Sequence, residues 1–178
     1  MNHSCSNAWS LGLNTDNTEQ ELAEVKAAIE DLSAQTKVDK AFIYVVMQQE
    51  SLGCVRVRTT SNSHANPGLF QSNQGTGTCN DSTGLQIPCP ESEIHQMVED
   101  GVAGTASGDG LQQLLAQATG EAAQKYYRAA RMYNSGSLDA SGSLGRGGAT
   151  ACYCSDIANR LLGWSQGTSK CTAAEVSA

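Results

Sequence analysis

Glu50 is the residue of this 178-residue chain whose surroundings promise chemistry. It closes a run that is otherwise apolar: Ala41, Phe42, Ile43, Val45, Val46 and Met47. A carboxylate at the end of such a helix is partly desolvated, and the negative end of the helix dipole disfavours its charge. Both effects raise its pKa, as a general acid working near neutral pH requires. The plainer alternative is an exposed glutamate at an ordinary helix end.

Two later segments bear on that choice. Gly68-Leu69-Phe70-Gln71 follows an irregular stretch, and Ala129-Ala130-Arg131-Met132-Tyr133-Asn134-Ser135-Gly136 comes much later. Asn66, Gln71, Asn73 and Asn134 offer amide donors and acceptors to sugar hydroxyls. Phe70 and Tyr133 offer flat faces to pyranose rings, with core packing as the alternative for both. His64 lies where it could touch a substrate, although a surface-loop histidine is the plainer reading. His95 is expected to be an ordinary helix residue.

Glu50-Ser51 and these two segments, in this order, resemble the signature of goose-type lysozymes and soluble lytic transglycosylases. In that signature a catalytic Glu-Ser ends a buried helix, a Gly-Leu-(Phe/Met)-Gln segment lines the cleft floor, and an Ala-x-x-Tyr-Asn-x-Gly segment closes the far wall. The resemblance implies a lysozyme-like fold, α+β and mostly α, with a helical lobe and a small β/loop lobe flanking a sugar-binding cleft. The string Gln49-Glu50-Ser51-Leu52-Gly53-Cys54-Val55-Arg56, with Thr59-Thr60, Asn66-Pro67-Gly68-Leu69, Gly75-Thr76-Gly77-Thr78-Cys79 and Tyr126 to Gly136, looks most like glycoside hydrolase family 134, the inverting endo-β-1,4-mannanases.

That family resemblance implies Glu50 as catalytic acid and an aspartate base about a dozen residues on, where this chain has Asn62. An amide cannot take a proton from water at useful pH. Three explanations compete. The favoured one is an Asp-to-Asn replacement that keeps shape and removes charge. The second is another carboxylate, Asp81 or Asp109, as base. The third is a single-carboxylate mechanism assisted by the substrate's own N-acetyl group. Inversion requires the two carboxyl groups roughly 6.5–9.5 Å apart, and retention about 5–5.5 Å.

Composition narrows the partners. Charged residues are 16% of the chain and the net charge is −7. Nucleic acid and anionic membranes are repelled at long range, and polyanionic cell walls are disfavoured. The expected partner is a neutral polysaccharide or oligosaccharide, mannan by resemblance, bound by a monomer without cofactor or metal. No apolar run approaches the roughly 20 residues of a membrane span. Seven cysteines, without C-x-x-C pairs or zinc-finger histidines, read as a disulfide framework and hence an extracellular, secreted protein. Cys79 and Cys89 are the expected local pair. Cys5 with Cys171 would join the termini, leaving Cys54 for Cys152 or Cys154, and one cysteine over.

The elements that must position these residues follow from periodicity. The length suits a single domain over residues 1–178. Residues 1–14 read as irregular. Leu22, Val25, Ala28, Ile29 and Leu32 mark a helix capped at Asp16, Asn17 or Thr18, and a buried helix runs from about Val38 to Ser51. Alternation over Val55–Thr60 predicts a short strand within an irregular stretch, 54–90. Helices are expected at about Ser92–Gly101, Asp109–Ala118, Gly120–Tyr133 and Ser155–Leu162, with a second loop over 135–149.

Overall fold

The computed structural model describes residues 4–7, 15–146, 150–165 and 167–177. The fold is mostly helical with two small antiparallel sheets, an α+β arrangement with α dominant. The chain forms two compact units, residues 1–112 and 113–178.

In the first unit, α1 (Ser4–Asn7) is a single turn, and much of the segment expected to be irregular, residues 1–3 and 8–14, lies outside the described residues. Helix α2 (Glu19–Thr36) starts at Thr18 with a full capping box. The Thr18 hydroxyl accepts from Glu21 N–H while Glu21 accepts from Thr18 N–H. Its stripe Val25, Ala28, Ile29 and Leu32 is buried. Helix α3 (Lys40–Ser51) is capped by Asp39, whose carboxylate accepts from Ala41 and Phe42 N–H. It buries Phe42, Ile43, Val45, Val46 and Met47, but Tyr44 emerges on one face. Helix α4 (Glu91–Val102) packs against α2, which also packs against α3.

Between α3 and α4 lie two hairpins. Strand β1 (Thr60–Ser61) pairs with β2 (Ala65–Asn66), and β3 (Asn80–Asp81) pairs with β4 (Gly84–Leu85). The strand expected over Val55–Thr60 is mostly a buried turn. Val55, Arg56 and Val57 all point into protein, and Val57 N–H returns to Cys54 O. The alternation of apolar and charged residues did not produce a strand because Arg56 is fully buried and paired with Glu21. The loop between the hairpins seats on α4. A Cβ at Gly101 would stand 2.2 Å from the Phe70 ring, so only glycine admits that contact.

Helix α5 (Leu111–Gln117) carries the boundary between units and begins two residues after Asp109, the expected start. The second unit holds α6 (Ala123–Ser135), α7 (Tyr153–Leu161) and α8 (Ala173–Val176), and α6 packs on α7. Arg160 lies over the Trp164 ring at 4.5 Å, just past the end of α7.

Three disulfides are formed: Cys5–Cys54, Cys79–Cys89 and Cys152–Cys171. The local pair is as expected. The Cys5–Cys171 bridge and a Cys54 bridge to Cys152 or Cys154 are not. Asp16 accepts from Cys5 and Ser6 N–H, holding α1 against the turn after α3, where the Cα of Cys5 is 4.8 Å from that of Cys54. Cys154 is the leftover thiol, buried, donating to Tyr127 O at 3.4 Å.

Candidate active site

Glu50 occupies the last turn of α3 and is half-buried. The helix end beneath it is locked from several sides. Leu52 takes a left-handed conformation (φ 55°) and its N–H reaches Gln48 O. Ser51, fully buried, donates through its hydroxyl to Met47 O at 3.1 Å and accepts from Gly53 N–H at 3.1 Å. The serine of the Glu-Ser pair thus closes the helix. Asn17 clamps the following turn, donating to Gly53 O at 2.6 Å and accepting from Val55 N–H at 3.2 Å.

A second support stands behind this turn. Glu21 and Arg56 form an ion pair at 2.5 Å with both side chains only 1% exposed. Arg56 also donates to Asp16 O, and Glu21 accepts from Cys89 N–H at 2.7 Å. Burial opposes ionisation of Glu21, but hydrogen bonds from Arg56, Cys89 and Thr18 outweigh it and lower its pKa. One carboxylate therefore joins the start of α2, the turn after α3 and the chain entering α4. Neither Glu21 nor Asn17 is singled out for this in the sequence, where Asn17 is one of three candidate caps. The Thr18-x-x-Glu21 box was a visible signal for the first, whereas nothing local marked the second.

Hairpin β1–β2 carries Asn62, His64 and Asn66. Asn62 and His64 are exposed at the turn, and Asn66 is half-buried. Asn62 Oδ1 accepts from Ser63 N–H at 2.7 Å and His64 N–H at 3.3 Å. Asn66 donates to His64 O at 3.1 Å. Gln71 is bound to the base of the hairpin: Thr60 donates to its Oε1 at 2.7 Å, and its Nε2 donates to Gly68 O and Arg58 O.

The structure corrects the role expected of Phe70 and gives the other expected contact residues partners within the protein. Phe70 is fully buried against Gly101, so its ring is core and not a sugar platform. The Gln71 amide is engaged in holding the hairpin. Asn73 donates to Ser107 O and so holds the 105–108 turn. Tyr133, half-buried, and Asn134 lie on α6 in the second unit. There Asn134 Oδ1 accepts from the Arg131 guanidinium and from Thr150 N–H, so its carbonyl organises the loop after α6.

Of the alternative bases, Asp81 is exposed on β3, where the hydroxyl and N–H of Thr83 hold its carboxyl below the usual range. Asp109 is exposed just ahead of α5. His95, on α4, bonds Asp31 of α2 at 3.0 Å, a structural role. Two surface cavities lie elsewhere, about 490 Å³ between α2 and α3 beside Tyr44 and about 510 Å³ in the second unit beside Cys154. Among the described residues no three potential ligands cluster for a metal ion. Among the described residues no helix is long and apolar enough to cross a membrane. No protein-family model, curated protein or solved structure matches the chain.

Proposed function

We propose that the protein is a secreted, endo-acting glycoside hydrolase with a lysozyme-like fold, cleaving internal β-1,4 bonds of mannan by inversion, with Glu50 as acid. The observation that supports this is the rigid setting of Glu50. A half-buried carboxyl stands on a helix end locked by Ser51, Asn17 and a disulfide. The chain leads from there into a hairpin that exposes position 62. A proton donor held on a regular element is what acid catalysis asks of a scaffold.

Position 62 supplies the base when it bears a carboxylate. The two N–H groups that now bond Asn62 Oδ1 would bond an aspartate oxygen and favour its ionised form. With Asn62 in place, the arrangement also supports a second reading, a sugar-binding protein on the same scaffold without turnover.

Product analysis of the Asn62→Asp chain on mannan, chitin and peptidoglycan tests both. The expected outcome is mannooligosaccharides released with inverted anomeric configuration. Adding Glu50→Gln should then cut turnover roughly 10²–10⁴-fold with binding retained. Cleavage of peptidoglycan alone would make the protein a lysozyme or lytic transglycosylase. Mannan binding without hydrolysis by any variant would establish the second reading.

A further inference from the structure

We propose that Asn80 is an acceptor site for an N-linked glycan, a role independent of the sugar-cleaving reading. Asn80-Asp81-Ser82 is one of two Asn-x-Ser triplets in the chain; the asparagine of the other, Asn2-His3-Ser4, lies outside the described residues. The triplet runs along β3 into the turn of the second hairpin. Asp81, Ser82, Thr83 and Gly84 are all exposed, and Asn80 is half-buried. A Cβ built on Gly84 meets nothing within 4 Å, so the turn opens onto free space.

The side chain that would carry the sugar is already oriented. Asn80 Nδ2 donates one hydrogen to Arg56 O at 2.9 Å. A glycosylated asparagine retains one N–H, so the hydrogen count allows that bond and the glycan together. The backbone is held from Thr78, whose hydroxyl accepts from Asn80 N–H at 3.1 Å. The Cys79–Cys89 bridge closes the loop on itself. The four residues that follow Asn80 are exposed, so solvent borders the turn that would carry the sugar.

The donor is a polyprenyl-pyrophosphate-linked oligosaccharide. Nδ2 attacks C1 of its first sugar, forming the C1–N bond and losing one proton to a base of the transferring enzyme. The C1–O bond to phosphate breaks, and the lipid pyrophosphate leaves with the electron pair. Such transfer takes place in the oxidising secretory route that also forms disulfides, of which this chain has three.

The full chain is secreted from a eukaryotic host beside a control protein of known N-glycosylation, and its peptides are analysed by mass spectrometry before and after peptide N-glycosidase. The expected result is a glycan at Asn80, with conversion of Asn80 to aspartate on release. Ser82→Ala, at an exposed side chain that leaves the Arg56 contact intact, should abolish occupancy, and Ser82→Thr should retain it. Unmodified Asn80 beside a glycosylated control, glycan confined to Asn2, or occupancy unchanged by Ser82→Ala would each overturn the proposal.

Discussion

Each of the two units organises an irregular segment around a buried arginine, and they solve the same electrostatic problem differently. In the first, Arg56 is paired with the carboxylate of Glu21, and its Nε has no hydrogen-bond partner among the described residues. In the second, Arg131 is fully buried and bonds neutral groups: Leu144 O, Thr150 O, Asn134 Oδ1 and Ser135 Oγ. A buried cation can be compensated by one opposite charge or by converging dipoles. The ion pair concentrates the dependence of several segments on one carboxylate. The dipole cage spreads it over partners that are themselves half-exposed or exposed.

The largest expected effect sharpens that contrast. Glu21→Ala leaves Arg56 charged and dry, and should destabilise the protein by about 3–5 kcal/mol in urea denaturation. Replacing both partners by apolar residues, Glu21→Leu with Arg56→Met, should recover much of the loss. Arg131→Met should cost less, about 1–3 kcal/mol, because water can reach the acceptors it abandons. Equal losses from Glu21→Ala and Arg131→Met would break the comparison.

Acid should separate the two segments next. The folded pKa of Glu21 is lowered, so its contribution is fully present above the unfolded value of about 4.3 and is lost as pH falls through the folded value. Amide exchange at Cys89, which donates to Glu21, should accelerate over that window once corrected for intrinsic rates. Exchange at Thr150, which donates to the uncharged Asn134, should show no such step. A shared acid transition would mean that one global opening controls both.

The smallest effect concerns the thiol beside Arg131. Burial pushes Cys154 up to about 11, with Arg131 opposing only in part. At pH 8 its thiolate fraction is about two orders of magnitude below that of a free cysteine. Labelling by a thiol reagent should be correspondingly slow in the native state and rapid in denaturant. Fast native labelling would show that the second segment opens far more readily than its cage implies.

Local pattern was a good guide wherever neighbours in sequence are also the partners in space. The α2 stripe, the α3 run ending at Glu50 and the Cys79–Cys89 bridge all depend on contacts within a few turns or one short loop. The amide-bearing residues were legible as polar groups in a loop, but their hydrogen-bond partners were not. Gln71 answers to Thr60 and Arg58, and Asn73 to Ser107. Phe70 became core because Gly101, far along the chain, leaves room for its ring.

By itself the sequence determined the helical periods, the glutamate at a helix end and the amide at position 62, because side-chain chemistry and helix pitch are properties of the local chain. Tertiary structure alone decided that Arg56 is inside, that Cys5 meets Cys54 and that Arg131 reaches Leu144 O and Thr150 O. Those outcomes depend on which distant groups share a water-excluding space, where an unpaired charge or polar atom is costly.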